Sequence, residues 1–488
     1  IKRDTVVMED AVIGERCLVD VGCTIRPRVK LWPDKLVERG STVTMSLVHG
    51  NRWRGSLFRE LGVAGLSNIE ITPDFACRLG SAYGSCLPRG SSVLVARDST
   101  RSSRMIKRAL MSSLLSVGCH VLDLRSMALP VVRHHLRSSG AAGAIHTRKI
   151  PGNARVTLVE MLDSRGVYLA DALERKIETA FFREDFVRAD PDDLGALEVV
   201  INALERYQGD FLKLLGREGA RRKFRIVCDY GYTPVSSFLP AMFARLGIDI
   251  LGLNAYNDAK LAPRTSQEVD RHVENLRSIV SNTGYDLGVL IVQEGERCVV
   301  VDSRGRRLSG ERLLAAMCLL VARSEKNAKI AVNIMAPSRL EELVASAGGS
   351  VLRSKADVPS LLSATLDSGA AFAGDTRGGF AHPALHAGFD ASFSVARLIG
   401  MLQEQELSLA ELDEQLPQFH MAYEQVRCPW EAKGTVMKVL AEEGLARGKV
   451  ELLDGVKIME SDGWVAVLPD AIDPVVHVYA ESLNGRKP

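Results

Sequence analysis

Several features that would assign this 488-residue sequence to a specialised class of protein are missing. No run of about 18 or more apolar residues occurs, which argues against a membrane-spanning helix. The nine cysteines are scattered and include no C-x-x-C pair, which argues against a disulfide framework and a zinc site. The net charge is only +2, and no long basic block is present. We therefore expect a globular protein of the reducing cytoplasm, with neither a membrane nor a nucleic acid as partner.

The beginning of the sequence also lacks a secretory leader, since no charged segment precedes an apolar stretch and a small-residue cleavage site. The first residue is Ile1 rather than Met, and it already lies inside a repeat. These two features predict a fragment of a longer chain or a processed chain. At about 150 residues per domain, the length predicts several domains.

A six-residue repeat occupies the N-terminal part of the sequence. Its aliphatic positions are Val7, Ile13, Val19, Ile25, Leu31, Val37 and Val43. A period of six fits neither the face of a helix nor the alternation of a strand. It is typical of a β-solenoid, whose corners Gly14, Gly22 and Gly40 would suit. Residues 1–50 resemble the left-handed hexapeptide β-helix. Acyltransferases with such coils use a catalytic histidine, but His49 lies where the repeat ends, so we expect a structural or self-association element.

After Gly55 the pattern changes to helices that alternate with short apolar strands. Residues 73–87 predict a helix with Phe75, Leu79 and Tyr83 on one face, and residues 91–96 predict a buried strand. The same alternation recurs along the chain, which is typical of repeated α/β architecture. Charged clusters near residues 183–222 predict a linker with a charged helix, and the residues from Cys428 onward predict a compact α+β domain.

Four segments carry a resemblance to a known family: SSVLVARDSTRSS (91–103), DLGVLIVQEGERCVVVDSRG (286–305), AFAGDTRGGF (371–380) and DGWVAVLPDAIDPVVHVYAES (462–482). They resemble segments of the α-D-phosphohexomutases (phosphoglucomutases and phosphomannomutases) in order and in approximate spacing. The resemblance implies an α/β fold of four domains after the short β-helix, with three mixed-sheet α/β domains and a small α+β domain. We assign them to residues 55–200, 201–307, 308–420 and 421–488.

The family carries phosphate on a serine in a loop close to T-A-S-H-N-P, because a hydroxyl can accept and donate a phosphoryl group. The matching stretch is GAIHTRKIPGN (143–153), which places Arg148 or Lys149 at the serine position. Neither side chain can carry a stable phosphoester through a mutase cycle. A cation at this position could instead bind a phosphate or another anion. Thr147 is the nearest hydroxyl, and His146 is an alternative carrier whose supporting loop is absent.

The family's metal loop is D-G-D-x-D-R, whose carboxylates hold magnesium. The aligned residues 292–297 (VQEGER) replace one ligand by valine and leave Glu294 and Glu296. Weak magnesium binding by these two glutamates is one interpretation, and a solvated charged turn between two strands is the other. No other cofactor is expected. Arg297 at the end of this loop is a candidate for binding a substrate or an anion.

The family's sugar-recognition loop is G-E-x-S-G-H, and the aligned residues 374–379 read GDTRGG. Asp375 keeps the acid, whereas Arg377 replaces the serine. Both are candidates for binding a substrate or an anion.

The family's phosphate-binding loop is R-x-S-G-T-E-P-x-x-R, and the aligned residues 468–477 read LPDAIDPVVH. Both arginines are absent, and Asp470 and Asp473 add negative charge. By Coulomb's law these carboxylates oppose the binding of a phosphate dianion. Together the four altered loops predict a pseudoenzyme.

The order of a solenoid and a phosphohexomutase-like module resembles the C-terminal part of bacterial mannose-1-phosphate guanylyltransferases. The resemblance implies a regulatory or oligomerising module of a sugar-nucleotide pyrophosphorylase. Its expected partners are an upstream nucleotidyltransferase domain, a sugar phosphate and further copies of the same chain. Two alternatives stay open: an active phosphohexomutase with a rewired site, and a purely architectural scaffold.

Overall fold

The computed structural model describes residues 1–33, 35–37, 39–43, 46, 57–150, 152–216, 223–258, 260–262, 265–447, 450–470 and 473–483. His49 therefore lies outside the described residues. The chain forms two compact units. The first comprises Ile1–Arg125, Ile145–Met161 and Leu169–Val199, and the second comprises Ser126–Ala144, Leu162–Tyr168 and Val200–Pro488. In the described part of the chain, no helix has both the length and the apolar character needed to cross a membrane.

Seven short strands build a solenoid at the N-terminus: β1 (Val6–Val7), β2 (Val12–Ile13), β3 (Leu18–Val19), β4 (Thr24–Ile25), β5 (Lys30–Leu31), β6 (Leu36–Val37) and β7 (Thr42–Val43). Each of β1 to β4 pairs in parallel with the strand 18 positions further along, as Val6 does with Thr24. The predicted inward residues from Val19 onward are at most 1% exposed. Val7 is 42% exposed because β1 lies at one end of the stack. The predicted coil therefore forms, and its left-handedness stays a prediction.

The corners of the solenoid carry two of the three predicted glycines, Gly22 and Gly40, together with residues that were not predicted there. Backbone φ angles are positive at Asp4, Asp10, Arg16, Gly22, Arg28 and Gly40. Gly14 was wrongly assigned to a corner. A Cβ at Gly14 would lie 2.6 Å from the backbone nitrogen of Pro33, so glycine is needed there for the close approach of the next coil.

The rest of the first unit is an α/β layer. The elements of this part of the chain are, in order, β8 (Val63–Leu66), α1 (Pro73–Ser85), β9 (Ser92–Arg97), α2 (Arg101–Ser116), β10 (His120–Ser126), α3 (Leu129–Ser139), β11 (Gly143–Ile150), β12 (Asn153–Asp163), α4 (Asp171–Arg183) and β13 (Leu197–Val199). Helix α3 belongs to the second unit. The strand order is β13-β10-β9-β11-β12-β8. Helix α1 begins at Pro73 because the Thr72 hydroxyl accepts a hydrogen bond from the backbone N–H of Phe75. Its predicted buried face is confirmed, since Phe75, Leu79 and Tyr83 are at most 9% exposed.

The linker predicted near residues 183–222 is partly wrong. Strand β13 pairs in parallel with β10, with Leu197 opposite Val121, and so extends the sheet of the first unit. Helix α5 (Ala203–Leu215) follows in the second unit and buries Tyr207 and Phe211. Residues 217–222 lie outside the described residues.

The second unit contains three further sheets. The first has the elements β14 (Arg225–Asp229), α6 (Leu239–Arg245), β15 (Asp249–Leu253), α7 (Ser266–Thr283), β16 (Leu287–Val292) and β17 (Arg297–Asp302). Its strand order is β15-β14-β16-β17. Strand β14 is parallel to β15 and β16, and β17 is antiparallel to β16. The carboxyl ends of β14, β15 and β16 therefore lie at one edge of this sheet.

The next sheet is also mixed and is built from α8 (Gly310–Ser324), β18 (Lys329–Asn333), α9 (Leu340–Ser346), β19 (Ser350–Ser354), α10 (Val358–Ser368), β20 (Phe372–Gly374), β21 (Phe380–His382), β22 (His386–Phe389), α11 (Ala391–Glu404) and α12 (Leu409–Gln415). The strand order is β19-β18-β20-β21-β22. The last sheet is antiparallel and contains β23 (His420–Arg427), α13 (Trp430–Arg447), β24 (Val450–Glu451), β25 (Val456–Glu460), β26 (Gly463–Pro469) and β27 (Val475–Ser482). The α/β architecture with mixed sheets follows the prediction, and the predicted domain boundaries stay predictions.

Candidate functional site

The end of β11 carries the residues that align with the phosphate-carrying serine of the family. His146, Thr147 and Arg148 are at most 1% exposed, and Lys149 is half-buried. Thr147 cannot serve as a hydroxyl carrier in this position, because an enclosed side chain has no access to a sugar phosphate. The same burial argues against His146 as a carrier.

Arg148 forms a buried ion pair with Glu160 on the neighbouring strand β12. Its Nη2 lies 2.7 Å from Glu160 Oε1, and His146 Nδ1 lies 3.4 Å from Glu160 Oε2. Burial alone would raise the pKa of Glu160, but Arg148 and His146 lower it to about 2. The carboxylate therefore stays charged and compensates the guanidinium. This geometry argues against Arg148 as the predicted anion-binding residue, because its charge is already paired inside the unit.

Lys149 lies in a more open position at the end of the same strand. Its backbone N–H donates a hydrogen bond of 2.9 Å to Asp98 Oδ2, and its ammonium donates to the hydroxyl of Ser67. The ammonium also lies 3.5 Å from the hydroxyl of Thr157. Lys149 is the less buried of the two candidates.

Asp98 fixes the turn between β9 and α2. Its Oδ1 accepts hydrogen bonds from the backbone N–H and the hydroxyl of Thr100, at 2.8 and 2.7 Å. Its Oδ2 accepts the bond from Lys149. The carboxylate thereby joins the first turn of α2 to the end of β11 and positions Lys149.

The turn after β16 contains the predicted magnesium ligands Glu294 and Glu296. Glu294 has positive φ in a short 3-10 turn, and Glu296 is only 5% exposed. No group of three or more His, Cys, Asp or Glu residues suited to a metal occurs in the described ranges. Magnesium is usually held by one or two carboxylates, and water completes its octahedral shell. Glu294 and Glu296 therefore stay a prediction as weak magnesium ligands, and the burial of Glu296 contradicts the alternative of a solvated turn.

Arg297 and Asp375, two of the predicted binding residues, bind each other. Arg297 Nη1 lies 2.7 Å from Asp375 Oδ1, Nη2 lies 2.7 Å from Oδ2, and the guanidinium stacks 4.9 Å from the ring centre of Phe389. Burial alone would lower the pKa of Arg297, but Asp375 raises it. This bidentate pair joins the two mixed sheets of the second unit and is closed to a ligand. Arg377 is different, because its side chain is 63% exposed.

The loop between β26 and β27 aligns with the family's phosphate-binding loop, and residues 471–472 lie outside the description. Asp470 Oδ2 lies 2.9 Å from His477 Nε2, and the Tyr423 hydroxyl lies 2.9 Å from His477 Nδ1. The ammonium of Lys433 donates to the carbonyl oxygens of Asp470 and Asp473. A cation therefore does reach this loop, which the sequence analysis missed. Its hydrogen bonds are directed to backbone rather than to a phosphate.

The sequence analysis also missed Glu160 as the partner of Arg148. One signal for it was present, since Glu160 is a single charged residue inside the apolar stretch of β12. An acid in such a stretch requires a buried partner of opposite charge.

Comparisons with known proteins place this geometry in a family context. Residues 55–188 match the family model for phosphoglucomutase/phosphomannomutase, alpha/beta/alpha domain I. The chain is 28% identical over 448 residues to the phosphoglucomutase/phosphomannomutase of Thermococcus kodakarensis, covering 89% of this chain and 96% of that protein. A crystal structure of a phosphoglucomutase/phosphomannomutase family protein from Burkholderia thailandensis has a TM-score of 0.74 at 20% identity, covering 87% of this chain and 92% of that chain.

A further solved structure shares the fold at greater distance. It is the N-acetylphosphoglucosamine mutase of Aspergillus fumigatus in complex with GlcNAc-6P and magnesium, with a TM-score of 0.52 at 11% identity, covering 88% of this chain and 92% of that chain. None of the proteins named here is a nucleotidyltransferase. The likeness shows a phosphohexomutase-like fold, and the match to the family model is confined to residues 55–188.

Proposed function

We propose, from the family that the comparisons support, that this chain works on hexose phosphates as a phosphohexomutase-type protein. The observation that carries the proposal is a likeness to a phosphoglucomutase/phosphomannomutase that runs through nearly the whole of both chains. This likeness favours the active mutase, held as an alternative in the sequence analysis, over the regulatory module of a pyrophosphorylase.

The residues at the end of β11 limit how such an activity could run. A mutase of this family moves a phosphoryl group between a protein side chain and the sugar, which needs a nucleophilic acceptor. Arg148 and Lys149 supply none, and Thr147 and His146 are enclosed. A phosphoryl carrier in this chain would therefore lie outside this strand end.

A second candidate function is the binding of a hexose phosphate without phosphoryl transfer. The observation that favours it is Lys149, a half-buried cation at one of the two positions that align with the family's phosphoserine. An ammonium group at this place attracts the phosphate group that a serine would carry. The upstream nucleotidyltransferase domain, the self-association and the regulatory role belong to this candidate.

One experiment separates the two candidates. The purified chain is incubated with glucose 1-phosphate, mannose 1-phosphate or glucosamine 1-phosphate, each with a trace of the corresponding 1,6-bisphosphate and magnesium. Formation of the 6-phosphate, together with a phosphoryl group on the protein in intact-mass spectra, supports the mutase. Binding in a calorimeter without product or phosphoprotein supports the second candidate. If the chain neither turns over nor binds any of these sugar phosphates, both candidate functions are contradicted.

A further inference from the structure

The carboxyl edge of the sheet β15-β14-β16-β17 holds a cluster of polar and aromatic side chains outside the loops discussed above. Asp229 ends β14, Asn254 directly follows β15, and His272 projects from α7. The turn at Gln293 follows β16 at this same edge. In open α/β sheets, ligands bind outside the carboxyl ends of the strands, where the strand order reverses. Strand β14 lies at such a point, because the chain continues to β15 on one side of it and then crosses to β16 on its other side.

Asp229 holds His272 in one orientation. Oδ2 of Asp229 lies 2.8 Å from Nδ1 of His272, and the carboxylate also accepts hydrogen bonds from Gly231 N–H at 2.8 Å and from Asn254 Nδ2 at 2.9 and 3.0 Å. Asp229 is 1% exposed and is an acceptor in all these bonds, so Nδ1 carries the proton. Nε2 makes no hydrogen bond among the described residues, and the side chain is 19% exposed. The ring therefore presents Nε2 as its free polar atom.

Two tyrosines flank this ring. The ring centres of Tyr232 and His272 are 6.0 Å apart, and those of Tyr232 and Tyr256 are 5.0 Å apart, both in edge-to-face arrangement. Tyr256 is 56% exposed, so one large aromatic surface remains uncovered. Aromatic surface beside a few oriented polar groups is the usual composition of a small-molecule site.

The backbone at this edge is held in an unfavourable conformation. The φ angles of Tyr232, Asn254, Gln293 and Glu294 are 57°, 50°, 53° and 58°. Positive φ is costly for a bulky residue such as tyrosine and is found mainly where surrounding structure fixes a functional geometry. Four such residues at one sheet edge indicate a site rather than a chance turn.

The surrounding charges decide which part of a ligand this cluster can take. Asp229 contacts the ring directly, Glu268 lies one turn earlier on α7, and Asp258 follows Tyr256 in the loop after β15. These three carboxylates around the ring of His272 repel a phosphate group. A neutral, hydroxyl-rich ring meets no such penalty, and its C–H face can pack against Tyr256 while its hydroxyls reach Nε2.

We propose that Asp229, His272, Tyr232 and Tyr256 form a subsite for the hexose ring, in which Nε2 of His272 hydrogen-bonds a sugar hydroxyl and Tyr256 covers the apolar face of the ring. This subsite rests on the proposed function, because it supplies recognition of the sugar and leaves the phosphate to other residues. It also explains why α7 carries a histidine directed at Asp229. Asp229 and Asn254 position His272 and do not touch the sugar.

The test compares binding of glucose 1-phosphate, mannose 1-phosphate and inorganic phosphate to the full chain and its variants by isothermal titration calorimetry. His272→Gln and Tyr256→Ala are each expected to weaken binding of the sugar phosphates about tenfold, the effect of one hydrogen bond or one packed ring. Binding of inorganic phosphate should not change. Tyr285→Phe is the control, since Tyr285 lies two residues before β16 at the opposite edge of the same sheet and packs on Arg225.

A second measurement guards against variants that fail to fold. In the wild-type chain, the ring resonances of His272 should shift on addition of the sugar phosphate and stay unchanged with inorganic phosphate. If the His272 and Tyr256 variants bind the sugar phosphates as tightly as the wild-type chain, and the His272 resonances do not shift, the subsite is overturned. The proposed function would still stand. A wild-type chain that binds no hexose phosphate would overturn both.

Discussion

Two histidine–carboxylate pairs in this chain share their chemistry and differ in their surroundings. The side chains of His146 and Glu160 are both 0% exposed, and the carboxylate is also paired with Arg148. His272 and Asp229 lie at a sheet edge, where the histidine side chain is 19% exposed. In the first pair every charge is met inside the unit, which makes it a structural network. In the second pair the histidine keeps a free nitrogen, which makes it suited to a ligand. The exposure of the histidine, and a third charged group beside the carboxylate, decide the role of each pair.

The largest expected effect comes from breaking the buried network. Glu160→Gln leaves the guanidinium of Arg148 buried without a carboxylate, and the free energy of unfolding should fall by about 3–5 kcal/mol. Urea denaturation followed by fluorescence measures this loss. Glu414→Gln is the control, because it removes the acid of an exposed ion pair with Arg304 and should change stability little. Equal effects of the two substitutions would contradict a structural role of Glu160.

Lowering the pH should also weaken the buried network, because it removes the charge of Glu160. The pKa of Glu160 is lowered from 4.5 to about 2 in the folded chain, so its stabilising contribution is present above pH 4.5 and is lost as the pH falls toward 2. The thermal midpoint of the wild-type chain should therefore drop over this window more steeply than that of Glu160→Gln. Parallel curves for the two proteins would argue against a charged Glu160.

The pair of His272 and Asp229 should respond at a higher pH than Glu160. The hydrogen bond with Asp229 raises the pKa of His272 above 6.5, whereas burial lowers the pKa of His382 to about 3. Stabilisation by charged His272 is complete below pH 6.5 and is lost as the pH rises through the raised pKa. Nuclear magnetic resonance titration should show His272 titrating above 6.5 and His382 unprotonated over the same range. A His272 midpoint at or below 6.5 would contradict the ion pair.

The smallest expected effect concerns Lys149 in the first unit. Lys149→Ala should weaken binding of inorganic phosphate about threefold to tenfold, because a charge that is only partly buried contributes modestly to affinity. Calorimetric titration measures the change. Lys176→Ala is the control, since Lys176 is an exposed lysine on α4 of the same unit. Unchanged phosphate binding in Lys149→Ala would remove Lys149 from the candidate site.

The sequence predicted the regular parts of this fold well. The six-residue period identified the solenoid and its inward residues, because the period of burial is written directly into the order of aliphatic residues. The apolar face of α1 was predicted for the same reason. Strand β13 was missed, because its three residues are exposed and only pairing with β10 makes them a strand.

The candidate site was predicted less well. Arg148 and Arg297 were selected as anion-binding residues because a sequence shows a charge without its partner. Their acids, Glu160 and Asp375, come from a neighbouring strand and from another sheet. The role of Lys433 was missed for the same reason, since its carbonyl acceptors belong to a loop 37 and 40 residues further along the chain.

The sequence by itself determined the α/β class and the six-residue period of the solenoid, since each depends on local order and residue type. Only the tertiary structure decided which charged groups are buried in ion pairs and which are partly accessible to solvent. Burial and pairing depend on which strands become neighbours. That neighbourhood buries Arg148 and Arg297 in ion pairs and leaves the side chains of Arg377 and His272 partly accessible.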